Sequence, residues 1–172
     1  MTRTVDTVVT FLEMTTPRHA HVPMPGNVKL MLMRLEEPTV HFYRYLYDAV
    51  GAAHVWVDRK KLTDVELLRE IRVLGVEIWV LYAGGAPAGY FEIDARRSEV
   101  VELKYFGIMR EFQGRGLGRW LIAEAIRACW AREPKKVTVN TCTLDGAAAL
   151  PLYQKMGFVP VGREHRIVDL AE

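Results

Sequence analysis

At 172 residues and 19.6 kDa the chain is the size of one domain. Half of its residues are hydrophobic, enough to fill a core and to exclude a disordered chain. Its 23 Lys and Arg stand against 21 Asp and Glu, a balance too even for the basic stripe of a non-specific nucleic-acid binder. No apolar stretch approaches the ~18 residues of a membrane-spanning helix. Met1–Asp6 lacks the charged flank and apolar run of a signal peptide. Cys129 and Cys142 have no CxxC spacing and read as small buried hydrophobes of a reducing compartment. Together these features predict a cytoplasmic protein that works without nucleic acid or membrane.

In chain order, Val5 to Met14 is β-branched enough for a strand, and Lys29 to Leu35 is a second. Pro17, Pro23 and Pro25 make the stretch between them a loop. Thr39 to Val50, rich in aromatics, reads as a helix that follows Pro38 and ends near Gly51. Thr63 and Glu66 have the spacing of a capping box ahead of a helix from Asp64 to about Val73. Val76–Tyr82 and Ala88–Ile93 form a hairpin about the turn Ala83–Ala86, and Val100–Ile108 is a long third strand. A helix then runs from Leu117 to about Arg132, with Leu117, Leu121, Ala125 and Ala128 on one face. Lys136–Thr141 is a strand, Ala147–Met156 a short helix stopped by Gly157, and Phe158 onward a final strand towards Asp169. The readable order is β-β-β-α-β-α-β, an α/β chain with a mixed sheet and helices packed on it.

The segment that carries chemistry is Gln113-Gly114-Arg115-Gly116-Leu117-Gly118, between the third strand and the long helix. Alternating glycines admit a ligand close to the backbone, and the helix start adds unpaired N–H groups and a positive dipole end. Arg110, Arg115 and Arg119 add full charge, so the turn suits a phosphate or pyrophosphate. Two phosphate motifs fail. A Walker A loop needs Lys-Ser/Thr after the last glycine, where this chain has Arg119-Trp120, and the dinucleotide fingerprint needs a glycine at Arg119. On the residues alone, a tight connection without a ligand stays open.

Gln113-x-x-Gly116-x-Gly118 resembles the Q/R-x-x-G-x-G/A signature of the GNAT acetyltransferases. The preceding strand, Glu102–Ile108, resembles the central strand of that family, and Phe112 ends the link between them. A second, separate stretch, Asp145 to Tyr153-Gln-Lys-Met-Gly157-Phe158, resembles the family's C-terminal signature. Together they span about residues 76 to 162. The resemblance implies one domain over 1–172, with an acetyl-CoA-binding core in 76–162 and an acceptor-side region in 1–75. It also implies a mostly antiparallel sheet with one splayed parallel strand pair, Val100–Ile108 and Lys136–Thr141.

Further implications follow residue by residue. Acetyl-CoA would lie in the splay, its pantetheine on the backbone of Phe106, Gly107 and Ile108. Its pyrophosphate would sit on the Gln113–Gly118 turn, through Gln113, Gly114, Arg115, Gly116, Leu117, Gly118 and Arg119. Gly107 would give the ligand close approach. Glu102 would serve as general base through a water, or else pair with Lys104 as a strand residue; Glu92 and Asp94 are rival bases. Tyr153 would protonate the departing thiolate, since a phenol near its ordinary pKa of ~10 keeps its proton at neutral pH. Where the family often has an Asn, this chain has Gly146 beside Asp145, and Asn140 is a candidate for the comparable contact or a structural residue. Phe42, Tyr43, Tyr45, Tyr47 and Trp56 fall in the acceptor-side region. The reaction implied is direct N-acetyl transfer to a small-molecule or peptide amine, with a non-catalytic acyl-CoA-binding module as the alternative. O-acetyl transfer, a longer acyl donor and a homodimer stay open. The five histidines, His19 and His21 among them, show no ligand spacing, so no metal is expected.

Overall fold

A computed structural model describes residues 3–18 and 21–170; His19 lies outside the described residues. Its sheet has seven strands: β1 (Arg3–Met14), β2 (Leu30–Arg34), β3 (Val76–Ala83), β4 (Ala86–Arg97), β5 (Val100–Ile108), β6 (Lys136–Cys142) and β7 (Val159–Leu170). Their order across the sheet is β2-β3-β4-β5-β6-β1-β7. All neighbours are antiparallel except β5 and β6, so the sheet is mixed, as the resemblance implies. Expected and observed strands agree to within a few residues, apart from β4, which runs on through Asp94 to Arg97.

Two helices cover one face. In α1 (Val40–Gly51), Thr39 caps the start by accepting from the Phe42 N–H, and Tyr43, Leu46, Tyr47 and Val50 turn inward at the i, i+3, i+4, i+7 spacing of an amphipathic helix. α2 (Asp64–Arg72) opens on the expected capping box, Thr63 and Glu66 each bonding the other's backbone N–H. Both pack on Ile78, Val80 and Tyr90 of the sheet. The opposite face carries α3 (Leu117–Trp130) and α4 (Ala149–Lys155) over the larger core. There Leu121, Ile122, Ala125 and Cys129 meet Phe91, Ile93, Leu103 and Val139. The short α4 starts at Ala149, two residues later than the sequence suggests.

One irregularity positions the site. Asp94 pairs with Glu102, but Glu92 pairs with Tyr105, so β5 spends one more residue than β4 at Lys104. This β-bulge shifts the alternation: Glu102, Tyr105 and Gly107 face α1, while Leu103 and Phe106 face α3. Gly107 owes its glycine to that packing, because an added Cβ would lie 2.3 Å from Val50 Cγ1 on α1. The close approach of a helix is thus one reason for the glycine, beside the expected approach of a ligand.

Candidate active site

β5 and β6 stay paired only from Val100–Lys136 to Leu103–Val139. Beyond that point each strand follows its outer neighbour: β5 remains on β4 up to Ile108, and β6 remains on β1 up to Cys142. The break comes directly before the bulge at Lys104, where a bulged strand bends away from its partner. The two strands enclose a cleft of 710 Å³, lined by residues 103–108 on one side and 139–142 on the other. Their facing backbone groups have no strand partner there, which suits an extended ligand that bonds like an added strand.

At one end the cleft reaches Gln113 and Gly118. Gln113 Nε2 donates to the Ile108 carbonyl over 3.1 Å, closing the end of β5 against the turn. Gly114 and Gly116 have φ of +75° and +76°, the left-handed region that glycine adopts without strain, and a Cβ on either would meet nothing within 4 Å. The space above the turn is thus open, and Gly116 begins α3 with no side chain capping its first N–H groups. Arg115 stacks on Phe112, its guanidinium 5.3 Å from the ring centre, and bonds the Glu111 carbonyl. Arg110 and Arg119 are exposed beside it. Leu117 is 1% exposed, so its side chain belongs to the core and only its backbone belongs to the turn.

Of the three candidate carboxylates, only Glu102 lines the cleft. It is half-buried and makes no ion pair among the described residues; Lys104, its expected partner, lies 4.0 Å from Asp94 instead. Asp94 is held by Arg96 at 2.6 Å, and that guanidinium keeps its carboxyl below the usual range against the pull of partial burial. Glu92 is fully buried on the α1 face. Its Oε2 accepts from the Tyr43 hydroxyl at 2.5 Å and its Oε1 from Arg59 Nη2 at 2.7 Å. Burial pushes its carboxyl up, and the two donors pull it partly back. Glu92 and Asp94, the rival bases, are thus both held by donors and do not line the cleft.

Across the cleft, Tyr153 is 6% exposed and lines the wall from α4, its ring edge-on to Phe106 and Phe158. Burial, with the negative Asp145 nearby, raises its phenol well above the ordinary range, so it stays protonated. Asp145 is itself committed: its Oδ2 accepts from the Thr141 hydroxyl and the Cys142 N–H. Asn140 is exposed and lines the cleft from β6.

Of the wall that faces Glu102, the sequence points to Tyr47 and Trp56 but not to Tyr105. Tyr47, Trp56 and Tyr105 pack tilted or edge-on with ring centres 5.0 to 5.3 Å apart, and all three line the cleft. Burial pushes the Tyr47 phenol up to about 12. Phe42 and Tyr43, by contrast, are packing residues of α1, and Tyr45 is half exposed. His54, Asp58 and Lys61, from the connection between α1 and α2, complete the wall. No group of three His, Cys, Asp or Glu gathers among the described residues. No helix among them is long and apolar enough to cross a membrane.

The family model described as Acetyltransferase (GNAT) family matches residues 43–158. No curated protein matches the chain. Among solved structures, a GCN5-related N-acetyltransferase from Sphaerobacter thermophilus superposes with a TM-score of 0.70 at 16% identity, over 99% of this chain and 54% of that one. A putative GNAT acetyltransferase from Novosphingobium aromaticivorans gives 0.64 at 17% identity, over 99% and 68%. An aminoglycoside N-acetyltransferase in complex with CoA gives 0.58 at 17% identity, over 80% and 92%. The chain thus spans about half to two thirds of the length of the first two.

Proposed function

The chain belongs to the GNAT acetyltransferase family, and from that premise we propose that it transfers an acetyl group from acetyl-CoA directly to an amine bound on the Glu102 side of the cleft. The observation that carries this reading is the splay itself. Pairing of β5 with β6 stops at Leu103, and Glu102, which makes no ion pair among the described residues, and the protonated Tyr153 both line the opening. The residues present fit the cofactor: the edge of β5 at Phe106–Ile108, unpaired with β6, for the pantetheine, an uncapped α3 start with Gln113–Arg119 for the pyrophosphate, and Asn140 at the β6 edge. Acetyl-CoA, when bound, supplies the acetyl group activated as a thioester.

This chain's own groups then do three things. Glu102 accepts the proton that an ammonium must lose before its nitrogen can attack, through a water where the amine is out of direct reach. Tyr153 gives its proton to the departing thiolate, and its raised pKa keeps that proton in place until transfer. The aromatic wall of Tyr47, Trp56 and Tyr105 excludes water from the acceptor side. The acceptor is a small-molecule or peptide amine, and neither cysteine is needed as an acetyl carrier.

The test is release of free CoA from acetyl-CoA in the presence of a panel of primary amines, beside calorimetric binding of acetyl-CoA alone. Binding with turnover supports the enzyme. Binding without turnover on any amine supports the acyl-CoA-binding module instead. In a single-turnover experiment, Tyr153→Phe should slow transfer roughly 100-fold with acetyl-CoA still bound, the usual scale of a lost general acid. Full transfer by folded Tyr153→Phe would remove Tyr153 from the reaction.

A further inference from the structure

The connection between α1 and α2 makes a contact that the function above does not use. Gly51 and Trp56 close a tight turn: the Trp56 N–H donates to the Gly51 carbonyl, and a Cβ on Gly51 would lie 2.7 Å from the Trp56 side chain. Within the turn Val55 sits at φ +56°, a left-handed conformation that a β-branched residue disfavours. The strained turn carries His54 across the cleft. There its Nδ1 accepts from the Gly146 N–H over 3.2 Å. The accepting nitrogen carries no hydrogen, so the neutral ring holds its proton on Nε2.

Gly146 leads into α4, which begins three residues later without a side-chain cap and carries Tyr153. The β6 side of this loop is fixed by Asp145 on Cys142 and Thr141. His54 is what holds its other side, and it belongs to the opposite wall. We propose that His54 is a positioning residue: its hydrogen bond to Gly146 ties the acceptor wall to the loop that sets Tyr153, so that the proton donor is placed only when the acceptor wall is in register. The inference rests on the acetyl-transfer reading and adds a residue to it.

His54→Asn is the informative variant, because Asn Oδ1 occupies the place of Nδ1 and can accept the same N–H, while nothing replaces Nε2. His54→Ala should lower kcat about 10-fold, the size of one ordinary hydrogen bond. His54→Asn should recover most of that loss. Acetyl-CoA affinity should change less than about threefold in both, because the phosphate turn is untouched. In a Tyr153→Phe background His54→Ala should cost almost nothing more, since both act on one step. Exchange of the Gly146 amide, read by NMR, should quicken in His54→Ala and slow again in His54→Asn, with or without turnover. Effects that multiply in full with Tyr153→Phe would overturn the proposal. So would an Asn variant as poor as Ala, which makes Nε2 the working atom, or a Gly146 amide indifferent to His54. Absence of wild-type turnover on every amine would instead overturn the acetyl-transfer reading, and the positioning role with it; the amide exchange would still report whether the bond forms.

Discussion

The two walls of the cleft are built from different materials. The wall facing α3 is mostly backbone: the free edges of β5 and β6, the open turn about Gly114 and Gly116, and the uncapped start of α3. The wall facing α1 is mostly side chain. Tyr47, Trp56 and Tyr105 pack edge-on or tilted over a buried network in which Arg59, 5% exposed, reaches Glu92 at 0% and lies against the rings of Tyr43 and Tyr105. A backbone wall suits what every acyl-CoA has in common, if the proposed cofactor is bound here. A side-chain wall can be rebuilt for each acceptor, at the cost of a core that depends on paired charges. Each wall should therefore fail in its own way.

The largest effect is expected in the side-chain wall. Glu92→Ala strips the Arg59 guanidinium of its buried partner and leaves it only the partly exposed Glu70 at 3.5 Å, so the cost should fall near the lower end of the about 3–5 kcal/mol for breaking a buried pair. Glu92→Gln keeps the volume and one accepting oxygen, enough for one of the two donors, and should lose less than Glu92→Ala. Urea unfolding checks this, with acetyl-CoA affinity measured on the fraction that remains folded. A loss under about 1 kcal/mol in Glu92→Ala would mean that the network is ornament and the two walls are alike.

Next comes the backbone wall. Gly116→Asp strains a residue at φ +76° by about 1–2 kcal/mol and sets a carboxylate before the α3 start. Its main effect should be on binding: acetyl-CoA affinity down by about 100-fold or more, roughly 2.7 kcal/mol. Calorimetry on folded Gly116→Asp that returns wild-type affinity would take the phosphate site away from this turn.

Glu102 separates binding from chemistry within one cleft. Glu102→Gln keeps the shape of the side chain and removes its basicity, so turnover should fall about 100-fold while acetyl-CoA affinity holds. Unchanged kcat over the full pH range would move the base role to Glu92, Asp94 or water.

Legibility in the sequence divides along the same line. A backbone site leaves a local trace: glycines at fixed spacing between a strand and a helix, and Tyr153 ahead of a stop glycine. Strand limits were legible for the same reason, β5 and the α2 capping box being local patterns. The side-chain wall leaves none. Arg59 and Glu92 are 33 residues apart, His54 and Gly146 are 92, and no spacing rule joins them. The bulge at Lys104 is also silent, for it depends on register between β4 and β5 and on no special residue. Strict alternation would put Phe106 on the Glu102 face; the bulge puts Tyr105 there. Gly107 shows the limit most plainly, a glycine in the right strand whose missing side chain makes room for Val50.

The smallest effect tests whether Asp94, opposite Glu102 in register, has any share in the chemistry. Its contacts are all at one end: Arg96 holds both oxygens, and Lys104 stands 4.0 Å off. Arg96 is largely solvated, so the pair contributes at most about 1 kcal/mol. Its carboxyl is held below the usual range in the fold, so the folded state prefers the charged form. The stabilisation is therefore present above the unfolded Asp value near ~3.9 and is lost as pH falls through the lower folded value. Asp94→Asn should thus be slightly less stable than the wild type at pH 7, and the gap should close in acid below about pH 4. Turnover should be unchanged throughout, because a carboxylate bound to Arg96 and outside the cleft has no proton to take from an acceptor amine. A kcat loss in Asp94→Asn comparable to that of Glu102→Gln would move the base across the ladder from β5 to β4, and the side-chain wall would then have to open much further than its packing shows.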